Sequence, residues 1–132
     1  MVMIIKGFHH VAVNTPEFDK TELFYTQLLG LKKYKAWGGE GRRCAMFACS
    51  DGSCIELFEA EKGVAEPDSP IVHFAFNVDD PDAFAKAVSD AGYEITVQPK
   101  TAIVDGYPGF TARLAFCKGP NGEIIEFFCM KG

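Results

Sequence analysis

Two stretches of the chain alternate apolar and polar positions with the period of a strand, then switch to the period of a helix. The first is Phe8-His9-His10-Val11-Ala12-Val13-Asn14-Thr15-Pro16-Glu17. The second is Ile71-Val72-His73-Phe74-Ala75-Phe76-Asn77, continuing Val78-Asp79-Asp80-Pro81-Asp82. In both, a histidine is followed four residues later by an asparagine. In both, a capping residue (Thr15 or Asp80) precedes a proline and an acid. That order opens a helix, because proline loses no needed hydrogen bond at the first position and the acid faces the positive helix end. The helices are expected to run to Leu29 and Ala91, with Gly30 and Gly92 stopping them. Helical spacing puts Phe24, Leu28 and Leu31 on one apolar face, and Phe84, Ala87, Val88 and Ala91 on the other.

The halves also end alike. Met46-Phe47-Ala48-Cys49, a turn at Ser50-Asp51-Gly52-Ser53, and Cys54-Ile55-Glu56-Leu57-Phe58 form one predicted hairpin. Leu114-Ala115-Phe116-Cys117, a turn at Gly119-Pro120-Asn121-Gly122, and Ile124-Ile125-Glu126-Phe127-Phe128 form the other. Each half therefore reads as strand, helix, then about three strands. The predicted class is α+β, with two tandem βαβββ modules at 5–60 and 70–130 joined by an acidic linker at 61–69. Modules of this size are marginal alone, so all 132 residues are expected to make one domain.

Strand parity separates the faces. Val11 and Val13 share one face, opposite His10, Ala12 and Asn14. Val72, Phe74 and Phe76 share one face, opposite His73, Ala75 and Asn77. Ile55 and Leu57 lie opposite Glu56, and Ile125 and Phe127 opposite Glu126. Each half thus shows an apolar face suited to its helix and an opposite face bearing one His and one Glu. Two imidazoles and two carboxylates suit a borderline divalent metal such as Ni, Co, Mn, Fe or Zn, with further positions open to water or substrate. His9 has the wrong parity to join them and reads as structural or surface.

Charge and cysteine usage narrow the function classes. Thirteen Lys and Arg against 18 Asp and Glu give a net charge of −5, the opposite of a phosphate-backbone binder, so no nucleic-acid partner is expected. No apolar run approaches the ~20 residues of a membrane span. Met1 to Ile5 is apolar but too short and unflanked for a signal peptide, so the cytoplasm is the expected compartment. Five cysteines without a CxxC pair make neither a disulfide framework nor a zinc ribbon, and free buried thiols are expected.

Two glycine-containing stretches are candidate lids over a pocket: Ala36 to Arg43, with Trp37 and two arginines, and Lys100 to Phe110, the main insertion relative to the first half.

These features resemble the vicinal oxygen chelate superfamily, also called the glyoxalase/bleomycin-resistance/dioxygenase fold. His10-Val11-Ala12-Val13 followed by Phe24-Tyr25 and Leu28-Leu29-Gly30-Leu31 looks like its opening signature. Ile55-Glu56-Leu57, Val72-His73-Phe74-Ala75 and Gly119-Pro120-Asn121-Gly122 with Ile125-Glu126-Phe127 look like the remaining blocks. The resemblance implies curved mixed sheets enclosing a metal site, and commonly a homodimer. His10, Glu56, His73 and Glu126 match the His-Glu-His-Glu set of bacterial-type glyoxalase I (lactoylglutathione lyase). Acyl-CoA epimerases of the superfamily usually carry Gln at the Glu56 position, extradiol dioxygenases do not need it, and bleomycin-sequestering members lack the metal ligands.

The implied reaction turns the hemithioacetal of a 2-oxoaldehyde into a 2-hydroxyacyl thioester through an enediolate. Glu126 is the implied base, with Glu56 as ligand and second base. Asn14, Asn77, Trp37 and Arg43 are candidate substrate contacts. The glutathione-binding residues expected of that enzyme fall at Asn14, Ala60 and Ser69, which do not match. The resemblance therefore carries the metal chemistry further than the thiol. An acyl-CoA epimerase and a non-catalytic small-molecule (antibiotic) binder are the alternatives.

Overall fold

The computed structural model describes residues 8–60, 73–104 and 110–131. The apolar start (1–5), the linker (61–69, with Ser69) and the Asp-Gly-Tyr-Pro-Gly part of the second candidate lid (105–109) lie outside the described residues. The chain divides into two compact units between Glu66 and Pro67.

In the first unit the order is β1 (His10–Thr15), α1 (Phe18–Leu23) with a π-helical turn (Phe24–Leu28), β2 (Lys32–Trp37), β3 (Cys44–Ala48) and β4 (Cys54–Glu59). In the second it is β5 (Phe74–Asn77), α2 (Pro81–Asp90), β6 (Ile95–Val104), β7 (Phe110–Lys118) and β8 (Ile124–Met130). The sheet orders are β1-β4-β3-β2 and β5-β8-β7-β6, so the two units share one topology. In each, the first strand runs parallel to the last and the other pairings are antiparallel. This is the βαβββ module expected from the repeat.

The helices follow their sequence signals with two corrections. Asp80 caps α2 as expected, its carboxylate accepting the Ala83 N–H with Pro81 next in line. Thr15 does not cap α1. Its hydroxyl accepts the Glu17 N–H at 2.9 Å, but Thr15 ends β1 and the regular helix begins at Phe18, with Glu17 at the N-cap. Thr15 is instead buried against Thr21, hydroxyl to hydroxyl at 3.0 Å, which pins the helix start to the strand end. Gly30 and Gly92 close the two helices at φ of +83° and +93°.

The π-helical turn corrects the first apolar face. It rotates the end of the helix so that Phe24, Tyr25 and Leu29 are buried while Leu28 is only half-buried. In α2, Ala85 and Val88 are buried, but Ala91 is the exposed C-cap rather than part of the face.

Each core lies between a helix and the matching side of its sheet. Phe47, Ile55 and Leu57 are buried in the first unit, and Ala115, Ile125 and Phe127 in the second. Phe127 stacks on Phe84 of α2 at 5.2 Å and on Phe76 of β5 at 6.5 Å.

The second candidate lid is shorter than expected. Lys100 to Val104 continues β6, because Thr101, Ile103 and Val104 keep supplying β-branched residues. Pro99 is tolerated there since β6 is an edge strand whose register shifts between Val97 and Lys100.

All five cysteines are free, but only Cys54 and Cys117 are buried; Cys44, Cys49 and Cys129 are half-buried. Burial, with the charge of Glu123, pushes the Cys117 thiol up to about 12, so it is inert at neutral pH. No helix among the described residues is long and apolar enough to cross a membrane.

Candidate metal centre

The parity expected of the strands holds. Val11 and Val13 are half-buried and alternate with exposed His10, Ala12 and Asn14. Phe74 and Phe76 alternate in the same way with exposed Ala75 and Asn77, and His73, just ahead of β5, is exposed as well.

The parallel pairing of first and last strands then sets the site. Glu56 is the register partner of Ala12 on one side and Met46 on the other. At the equivalent place in the second unit, Glu126 lies between Ala75 and Phe116. Paired residues share a face, so each carboxylate stands between a small alanine and a larger apolar side chain.

His10 Nε2 lies 3.5 Å from Glu56 Oε1, and His73 Nε2 lies 3.2 Å from Glu126 Oε1. The histidine side chains are both 38% exposed, and the glutamates 12% and 11%. Repeated sequence has therefore produced a repeated site: one exposed imidazole over one mostly buried carboxylate, at matching register. Among the described residues, no group of three or more His, Cys, Asp or Glu lies close enough to hold a metal ion. Each pair thus offers two donors.

Those donors fit a divalent ion. Two ligand atoms sharing one ion at ~2.0–2.2 Å lie ~2.8–3.6 Å apart for angles between octahedral and tetrahedral. Both pairs fall in that range. Nitrogen and carboxylate oxygen suit Zn, Ni, Co, Mn or Fe.

The other candidates separate. Asn14 and Asn77 lie on the same strand faces as His10 and His73, exposed and available to a small molecule. Trp37 is 44% exposed at the end of β2. It borders a small pocket with Phe18, Glu22, Lys33 and Arg43, in which Lys33 Nζ pairs with Glu22 Oε1 at 2.7 Å. Gly38 closes the adjoining turn at φ +84°, where a Cβ would run into the Arg42 carbonyl.

Arg43 is already engaged. Its Nη2 and Nε donate to Glu59 Oε2 and Oε1 at 2.8 and 3.1 Å, and its Nη1 to Asp19 Oδ1 at 2.7 Å, with Phe18 beneath the guanidinium at 4.5 Å. Arg113 does the same in the second unit, clamping Asp82 at 2.8 and 2.7 Å. In both units an arginine, just ahead of β3 in the first and within β7 in the second, reaches a carboxylate in the first turn of the helix.

The side-chain hydrogen bonds of Arg43, followed by its backbone N–H, hold Glu59 down to about 2 against an ordinary 4.5. A depressed carboxylate stabilises the fold above its unfolded value, and that contribution is lost as pH falls toward 2. We expect the Glu59 side-chain carboxyl carbon to titrate near 2 by NMR, and to rise toward, but stop short of, 4.5 in Arg43→Met, because residue 43 keeps its backbone N–H. An ordinary midpoint in the wild type would remove the clamp.

One contact escaped strand parity. His9 Nδ1 lies 2.9 Å from His10 Nδ1, with the rings edge to face at 5.1 Å. The only sequence signal for it was the His9-His10 doublet.

The family model of the Glyoxalase/Bleomycin resistance protein/Dioxygenase superfamily matches residues 7–127. The chain belongs to this superfamily. No curated protein matches it in sequence. Among solved structures, a glyoxylase/bleomycin resistance protein/dioxygenase domain from Frankia sp. EAN1pec superposes with a TM-score of 0.78 at 19% identity, covering 97% of this chain and 100% of that one. TnmS3, an antibiotic binding protein from Streptomyces sp. CB03234, gives 0.73 at 19%, covering 98% and 100%. A glyoxalase I mutant from Zea mays gives 0.73 at 23%, covering 92% of this chain and 43% of that one. At these identities the superfamily fold is common ground, and it is shared by a glyoxalase I and by an antibiotic binding protein.

Proposed function

We propose that this protein is a metal-dependent, glyoxalase I-like lyase acting on the hemithioacetal of a 2-oxoaldehyde. His10, Glu56, His73 and Glu126 are the four donors for one divalent ion, supplied within one chain or across a homodimer. The observation that carries this reading is the doubled His–Glu pair, with donor separations suited to a shared ion. Two mostly buried carboxylates, each beside an imidazole, favour a divalent cation, whereas uptake of a neutral aromatic ligand makes no use of them.

When bound, the ion supplies Lewis-acid stabilisation of negative charge growing on the substrate oxygens. The chain's residues do the rest. Glu126 Oε takes the proton from the carbon bearing the thiol and returns it to the adjacent carbon, while the hydroxyl proton of the first carbon passes to the oxygen of the second, an isomerisation with no net oxidant. Its mostly buried position limits exchange of that proton with water. Glu56 occupies the equivalent place and serves as ligand and second base. Asn14 and Asn77 offer neutral amide contacts to the substrate's polar groups. Neutral amides at these positions favour a thiol less anionic than glutathione.

The test is metal-loaded protein with hemithioacetals of methylglyoxal and several cellular thiols, followed for lactoyl thioester. Turnover that chelation abolishes is expected. Absence of bound metal, with tight uptake of an aromatic ligand, would instead establish a sequestering protein. Solvent-deuterium exchange into an acyl thioester would establish an epimerase.

A further inference from the structure

We infer that His9 is a positioning residue that sets the tautomer of His10, so that the two imidazoles of the site are held by different means. This rests on the metal reading of His10. The Nδ1–Nδ1 separation of 2.9 Å requires one ring to donate and the other to accept. Neighbours on a strand point to opposite faces, so only their inner ring nitrogens can meet, and the outer Nε2 of His10 stays turned toward Glu56. An imidazole that gives its Nε2 lone pair to a metal carries its proton on Nδ1. His9 Nδ1 is the acceptor for that proton.

The arrangement is anchored from behind. The His9 carbonyl accepts the Cys54 N–H at 2.9 Å, extending the β1–β4 ladder one residue before β1 and fixing where the His9 ring begins. The second unit has no such histidine, because Val72 precedes His73. There the ring is held edge to face against Phe116 at 5.1 Å. Contact with an aromatic ring fixes orientation without selecting which nitrogen carries the proton, whereas a hydrogen bond selects both. The histidine of the first unit is thereby the more preorganised ligand.

The experiment measures cobalt and zinc affinity by competition with a chromophoric chelator, for the wild type, His9→Phe, His9→Asn and His10→Ala. His9→Phe keeps a planar ring but removes the acceptor, and should weaken binding roughly 10–100-fold. His9→Asn returns an oxygen to the place of Nδ1 and should restore most of that loss. In the zinc-loaded wild type, a 15N–15N coupling between the two Nδ1 atoms should be present. His9 is exposed, so folding should survive both changes, checked by equal thermal midpoints. Unchanged affinity in His9→Phe alongside strong loss in His10→Ala would overturn the role of His9 alone. Unchanged affinity in His10→Ala would overturn the metal reading beneath it.

Discussion

Glu126→Gln should abolish turnover of the hemithioacetal, by about 10²–10⁴-fold or more, while leaving the protein folded. The amide keeps the size of the side chain and an oxygen within reach of His73 Nε2, now 3.2 Å from the carboxylate. It cannot take a proton at physiological pH. Glu126 is mostly buried between Ala75 and Phe116, so the loss is not made good by a water in its place. The same change at Glu56 should cost less if Glu56 is chiefly a ligand. Its equivalent position also makes it the natural second base, so the double variant should show no residual activity. The measurement is kcat for lactoyl thioester formation at saturating metal, with the thermal midpoint alongside. Near-wild-type kcat in Glu126→Gln would take Glu126 out of the reaction and pass its role to Glu56.

Phe127→Ala should destabilise the second unit by about 3–5 kcal/mol. Phe127 is 1% exposed and is the aromatic hinge of that core, stacked on Phe84 from α2 and lying near-parallel to Phe76 from β5. Its removal opens a cavity bounded by two rings that are themselves fixed to different elements, so collapse can fill little of it. The neighbouring Glu126 points to the opposite face, so lost stability and lost metal affinity should travel together only through unfolding. Urea titration of the variant gives the free energy. A change below about 1 kcal/mol would mean that the second core packs around other residues. Phe127→Leu, which keeps most of the volume, should fall well short of the alanine variant.

The repeat was readable because its parts are local. The Asp80-Pro81-Asp82 start, the Gly30 and Gly92 stops and the two hairpin turns each act through residues a few positions apart, and all recur in the structure. The helix start after Thr15 was misplaced by two residues because a buried Thr15–Thr21 contact claimed the side chain that would otherwise cap. The π-helical turn left no signal in the apolar spacing, and it moved burial from Leu28 to Tyr25 and Leu29. The candidate lid at Lys100 to Phe110 was read from its glycines and proline. The β-branched residues before them extended β6 instead. Arg43 looked free to meet an anion in the sequence, but two acids distant in the chain, Asp19 and Glu59, occupy it.

By itself the sequence determined the two-module plan, the faces of the strands and the placing of one His and one Glu on the outer face of each module: His10 and Glu56, His73 and Glu126. Those follow from chain periodicity and from repetition of one motif, which neighbouring residues carry. Tertiary structure alone decided that each histidine meets the glutamate of its own module at 3.5 and 3.2 Å, because that depends on the parallel register of first and last strands more than forty residues apart. It also decided that His9, on the wrong side by parity, reaches its neighbour's inner nitrogen. Parity describes where a side chain leaves the backbone; where a ring nitrogen ends up is set by the strand's edge and by what packs beside it.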